Sequence, residues 1–236
     1  MRWMHLRLEA PMASFGGEAI DNRGVIRNFP AQSMVTGLFA NALGWTRWMR
    51  SEHQRLQDRI LFGAVHDANP DTLRATDYQT AKLRKADRGW STWGGPLGRA
   101  GGANTYVGAH QRWREYHSDL RMSLVVRLMP MVEDPTADTL AAAMQRPARP
   151  LFIGRKPCLP TVMMFRGWVD GPDIVTVLRD VAPSGVLCEA LWLGAEGADD
   201  SDLTTPITDE RNWISGLHGG ARLVCRGRLE GTGTQR

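Results

Sequence analysis

Cysteine and lysine are scarce in this chain, and long apolar runs are missing. The three cysteines, Cys158, Cys188 and Cys225, are odd in number and far apart, which suits neither a disulfide framework nor a zinc site. They read as scattered, half-buried thiols. No run of about 18 apolar residues occurs, which excludes a membrane-crossing helix. The first residues already alternate as a strand carrying Arg2, His5 and Arg7, unlike a signal peptide, so the cytoplasm is the expected location. GxxxxGK[ST], HExxH and GxSxG are all missing, which removes the usual phosphate-loop, zincin and serine-hydrolase chemistries. The six histidines never fall at metal-ligand spacing, and neither a metal nor a cofactor is expected.

What the chain has is arginine. Lysine occurs only at 82, 85 and 156, so 26 of the 29 basic residues are arginine, for a net charge of +4. A GC-rich genome inflates arginine without any function. A functional reading is that guanidinium forks grip phosphates and stack on bases better than ammonium groups do. Placement decides between them.

A chain of 236 residues makes one large domain or two small ones, with room for a core. Met4, Leu6 and Leu8 alternate with Trp3, His5 and Arg7, predicting a strand with one buried and one polar or aromatic face. A loose, glycine-rich, basic connection follows in SFGGEAIDNRGVIRNFPAQS. Met34, Val35, Leu38, Phe39, Ala42 and Leu43 then form one helical stripe, with Pro30 at its start and Gly44 as its stop. RILFGAVHD and TLRATDYQT read as strands partnered across ANPD, and GPDIVTVLRDV fits a short helix or strand. Residues 82–111 lose all core periodicity, which marks a functional or disordered insertion. Order returns in WREYHSDLRMSLVVRLMP, a strand, and TADTLAAAMQR, a helix; the acidic stretch 194–210 reads as loop. The order implies an α+β chain: a ferredoxin-like, RRM-like domain over 1–149 with an inserted arm at 82–111, and a smaller β-rich region over 150–236. The aromatic octamer of true RRM domains is missing, so base stacking on the sheet face is not expected.

The remaining chemistry is binding chemistry. Backbone amides of the glycine-rich loop and of the following helix start can form an anion site, flanked by Arg23 and Arg27; a loop of this composition can equally be only a flexible connector. Arg155 and Lys156 follow Gly154 in a turn. In the insertion, Lys82, Arg84, Lys85 and Arg88 stand beside Trp90 and Trp93, charge for a backbone and flat faces for single-stranded bases. His117, near Tyr116 and Arg114, could cleave RNA by metal-free acid–base chemistry, although Tyr116 and His117, as neighbours on a strand, point to opposite faces.

LRLEAPMASFG, FPAQSMVTGLFANALG, ATDYQT, WREYHSDLRMSLVVRL and PLFIGRKPCLP, in this order, resemble the Cas-five family, subunits of the type I-E CRISPR surveillance complex Cascade. The resemblance covers residues 4 to about 160. It implies a modified RRM fold with a long hairpin thumb. It also implies a subunit that holds the 5′ handle of the CRISPR RNA (crRNA), caps the backbone of Cas-seven subunits and contacts the large subunit. Target DNA is then met only through the complex, and no membrane is involved. The residues expected on the RNA are Ser14, Arg23, Arg27, Gln32, Ser33, Lys82, Arg84, Arg88, Trp90, Trp93, Arg155 and Lys156. The resemblance implies no catalysis; the alternative is a metal-independent endoribonuclease that processes pre-crRNA.

Overall fold

The computed structural model describes residues 1–17, 21–68, 74–82, 89–90, 96–97, 108–195 and 201–233, with backbone alone at 89–90 and 96–97. Its spine is a strand of 19 residues, β7 (His110–Leu128). Met122, Leu124, Val126 and Leu128 fall on one side of that strand, and the residues between them on the other. β1 (Arg2–Ala13) runs antiparallel along one edge, from Met4 opposite Val126 to Ala13 opposite His117. The other edge is shared. β3 (Ile60–His66) pairs with the lower part of β7, and β4 (Arg74–Ala81) with the upper part.

The hairpin expected across ANPD is therefore not formed. β3 and β4 follow each other along the same long partner instead of pairing together. β8 (Phe165–Asp170) lies outside β1, while β9 (Leu187–Leu193), β11 (Arg222–Glu230) and β10 (Leu203–Ile207) continue the sheet beyond β3. The order is β10-β11-β9-β3-β7-β1-β8. A short β2 (Arg23–Gly24) pairs parallel with Trp113–Arg114 of β7; the other pairings are antiparallel. β10 falls within the acidic stretch read as loop.

Helices cover both faces of the sheet. α1 (Gln32–Ala42), α2 (Arg50–Arg59) and α3 (Ala137–Gln145) lie on one side. There Val35, Leu38 and Phe39 join Met4, Leu6, Leu8, Leu124 and Val126 in the larger core. α4 (Ile174–Val181) lies on the other side and buries Ile174, Val177 and Leu178 with Val65, Val125 and Trp3. Each such fully buried aliphatic side chain contributes about 2 kcal/mol. α4 explains why Trp3, expected on the more polar face, is fully buried. Its own start is fixed by Asp173, whose carboxylate accepts from the Thr176 amide at 2.8 Å. α1 ends at Gly44, where φ is +77° and a side chain would strike Ala148. Among the described residues, no helix is long and apolar enough to cross a membrane.

Candidate nucleic-acid interface

The described residues of the glycine-rich connection, 14–17 and 21–33, are folded, not loose. The Arg27 amide donates to the Phe15 carbonyl at 2.7 Å, and the Gly17 amide to that of Val25 at 3.0 Å. This draws the two arms of the loop together. β7 then holds the loop from below. The Ile26 amide donates to Glu115 Oε2 at 3.3 Å, and the Trp113 amide to the Asn22 carbonyl at 3.0 Å. Two buried histidines hold consecutive carbonyls: His117 Nε2 lies 2.9 Å from Arg27 O, and His66 Nε2 lies 2.7 Å from Asn28 O. Phe15 packs on His117 and Phe29 on His66, with ring centres 5.2 and 5.0 Å apart.

Guanidinium groups converge over this loop at Gly24. A Cβ on Gly24 would lie 2.8 Å from Arg114 Nη1 and 3.1 Å from Arg155 Nη2. Arg155 is oriented from below, donating to the Glu115 carbonyl at 3.1 Å and lying 4.6 Å over the Tyr116 ring. Its turn is fixed by Gly154. With φ of +86°, Gly154 sits so close to Ser14 that a Cβ would meet the Ser14 carbonyl oxygen at 1.7 Å. Lys156, next in sequence, is exposed, as is Arg23 on β2. Arg114 is not among the residues expected on the RNA; in the sequence it stands out only beside Tyr116 and His117. It sits inside an alternating strand, and only the β2–β7 pairing brings it to the loop.

Other expected RNA-binding residues are inside the protein. Ser14 is 2 % exposed and Gln32 4 %. The Gln32 amide group donates to the carbonyls of Gln57 and Ile60 at 2.9 and 2.8 Å, tying α1 to the end of α2. The start of α1 is occupied by the chain itself. Asp209 Oδ2 accepts from the Gln32 amide at 3.0 Å, and Asp209 O accepts from that of Ser33 at 3.1 Å. Arg222 clasps the same carboxylate with bonds of 2.8–3.2 Å. The Arg27 guanidinium donates to Thr208 O at 2.9 Å, which leads the 208–213 strap past the loop. Among the described residues, no group of His, Cys, Asp and Glu is set to hold a metal ion.

The model of the CRISPR-associated protein (Cas_Cas5) family matches residues 3–225. The chain belongs to the Cas-five family. The CRISPR system Cascade subunit CasD of Escherichia coli (strain K12) is 24% identical over 193 residues, 78% of each chain. A chain of a CRISPR RNA-guided surveillance complex superposes with a TM-score of 0.65 at 19% identity, covering 98% of this chain and 92% of that one. A crystal structure of a Cas protein gives 0.59 at 18% identity, covering 99% and 100%. These likenesses support the α+β fold with its mainly antiparallel sheet.

The insertion expected as an arm at 82–111 follows β4. All of β4 is exposed, and its last residue, Ala81, pairs with His110 at the start of β7. The ends of the insertion are thus hydrogen-bonded neighbours, as its flanking strand patterns predict. Within the insertion, β5 (Gly89–Trp90) pairs with β6 (Pro96–Leu97). Lys82 is exposed. Arg84, Arg88 and Trp93 lie outside the described residues, and so does the Trp90 side chain. At the arm's base Tyr78 and Trp113 are direct cross-strand partners with ring centres 5.0 Å apart. Tyr78 is 50% exposed, a flat face that does not stand out in the sequence because β4 lacks an apolar stripe. Tyr116 and His117, the pair with cleavage chemistry in the sequence, are both buried. His117 is occupied with the Arg27 carbonyl, and Tyr116 lies beneath Arg155.

Proposed function

We propose that this protein is a non-catalytic, RNA-binding subunit of a type I-E CRISPR Cascade surveillance complex. In this reading it holds the 5′ handle of crRNA, caps a backbone of Cas-seven subunits and contacts the large subunit, in a cytoplasmic antiviral assembly. The observation that carries the reading is the convergence of Arg114 and Arg155 over Gly24, with Arg23 and Lys156 at the rim. Guanidinium groups packed over a buried glycine, which lets both approach the same point of the backbone, suit a phosphodiester chain running above them. Family membership supplies the context. The β3-β7-β1-β8 order, with α1 and α2 before β3 and α3 between β7 and β8, supports a ferredoxin-like reading of the central unit. In this reading the insertion between β4 and β7 takes the place of the thumb.

The endoribonuclease alternative has no support at Tyr116 and His117, because a general acid or base must reach the proton it moves. The test is binding of an RNA carrying the repeat-derived 5′ segment, measured against salt, for wild type and for the Arg23→Ala/Arg114→Ala/Lys156→Ala variant. For single strands the slope of log affinity against log salt changes by roughly 0.7 for each phosphate that is no longer neutralised. An unchanged slope in the triple variant overturns the reading. Cleavage of the same RNA by pure protein in EDTA overturns its non-catalytic part.

A further inference from the structure

A cleft of about 180 Å³ lies between the outer side of α1 and the turn that leads into Arg155. Met34, Gly37, Leu38 and Asn41 of α1 form one wall, and Phe152 and Gly154 the other. We propose that this cleft receives one unstacked nucleobase of the bound RNA, an inference that rests on the RNA-binding function proposed above.

Size is the first argument. Sites for drug-sized ligands occupy about 300–1,000 Å³, whereas one water takes a share of about 30 Å³. The cleft falls between them, at the scale of a single flat heterocycle. Chemistry is the second. The Met34 thioether and the Phe152 ring are surfaces on which a π system packs well. Asn41 donates through Nδ2 to the Pro150 carbonyl at 2.9 Å, which fixes the amide and leaves its own oxygen as an acceptor for a base edge.

Shape is the third. Glycine within a helix is less stable than alanine, yet Gly37 stands in the middle of α1. Beyond its own helix, the nearest atom to a Cβ there would be in the Trp213 ring at 3.9 Å. The missing side chain therefore leaves open space where the cleft is. The opposite wall is rigid because Gly154 is locked against Ser14. Placement is the fourth. Gly154 directly precedes Arg155 and Lys156, so a strand whose phosphates are held there passes the mouth of the cleft. Sequence-specific RNA recognition works by splaying single bases into such sites.

The experiment uses the full chain and an RNA with the repeat-derived 5′ segment of the host's crRNA, carrying 2-aminopurine at one position at a time. One position is expected to change its fluorescence on binding, and Gly37→Leu to abolish that change with roughly tenfold weaker binding. The salt slope stays at the wild-type value, because every phosphate keeps its partner. Gly37→Ala, which leaves most of the cleft, keeps the signal. Should Gly37→Leu lower the melting temperature, Met34→Ala replaces it and is expected to weaken the same signal. Wild-type affinity with an undiminished signal in Gly37→Leu and Met34→Ala overturns the cleft while leaving the function standing. A wild-type protein that binds no RNA overturns both. A salt slope that changes in Gly37→Leu also overturns the cleft as a base site, since the variant has then disturbed phosphates.

Discussion

The Asp209 carboxylate sits on the first turn of α1, 3.0 Å from the Gln32 amide nitrogen. Ala31, at the cap position of that helix, has no side chain to offer. Asp209, 177 positions after Gln32, does the work instead, neutralised in turn by Arg222. The helix start that the sequence suggests as an anion site is therefore closed by an internal anion, and the proposed function leaves RNA phosphates to the guanidinium groups beyond it. Asp209→Ala removes both the cap and the partner of a mostly buried arginine. A loss of about 2 kcal/mol is expected, read as a lower urea midpoint at an unchanged slope.

At Gly24 the order of effects is reversed, with binding lost before stability. In Gly24→Val the new side chain meets Arg114 Nη1 and Arg155 Nη2 first, the far ends of flexible side chains. They give way while the backbone of β2 stays paired. A small stability cost, under about 1 kcal/mol, is expected. Affinity for handle RNA and its salt slope should both fall. A variant that melts early yet binds normally when folded would show that the two guanidinium groups are structural only.

His5 gives the fold a pH dependence of defined sign. Its ring lies 3.1 Å from Ser123 Oγ. Burial first, then the positive charges of Arg7 and Arg166, push its pKa down from 6.5 to about 4. Between those two values the unfolded chain takes up a proton that the folded chain refuses, so stability falls as pH falls. Above about 6.5 this contribution is constant. His5→Gln should flatten the stability profile between pH 6.5 and 4, measured by urea unfolding at a series of pH values.

Most elements legible in the sequence bury apolar residues at a regular spacing; β4, read as a strand although it is exposed throughout, is an exception. β1, α1, β3, β7 and α3 all follow their apolar pattern. α2 escaped because it buries His53, Gln57 and Arg59 beside Leu56, and a helix that packs polar groups shows no stripe. The glycine-rich loop reads as loose because its fasteners, His66, Glu115 and His117, are remote in sequence. The site divides in the same way. Arg23, Arg155 and Lys156 are visible as cations in turns. Arg114, read in the sequence only with Tyr116 and His117, and Tyr78 become candidates for contact with RNA only once strand pairing is known, and Gln32 looks polar and available until its two internal bonds are seen.

Arg59 is the sharpest stability test. Its side chain is 0% exposed and donates to the carbonyls of Pro130, Glu133 and Pro135 at 2.9, 2.5 and 3.2 Å. One guanidinium thus closes the turn between β7 and α3. Arg59→Met keeps much of the volume and leaves three acceptors without their donor. A loss of about 3 kcal/mol is expected. Arg59→Lys, with a compact charge that cannot span the three carbonyls, should fall between.

The arm can be tested apart from the domain that carries it. Ala81 and His110 are paired in the β4–β7 ladder, so whatever joins them has little distance to cover. Loop closure costs only (3/2)RT ln n, about 0.6 kcal/mol for each doubling of length. Replacing residues 84–108 with a short Gly-Ser linker should therefore leave the melting temperature of the core unchanged or slightly raised. The replacement removes Arg84, Arg88, Trp90 and Trp93, the charges and flat faces expected to reach RNA and the neighbouring backbone subunit. It leaves Tyr78 and Trp113 in place at the arm's base, together with Arg23, Arg114, Arg155 and Lys156. Handle binding by the isolated chain should then persist, with a salt slope lowered by roughly 0.7 for each arm cation that held a phosphate, while co-purification with Cas-seven subunits and crRNA is lost. If the shortened protein is folded and still assembles and retains crRNA normally, the arm has no part in assembly. If handle binding disappears as well, the phosphate-binding groups lie on the arm and not at Gly24.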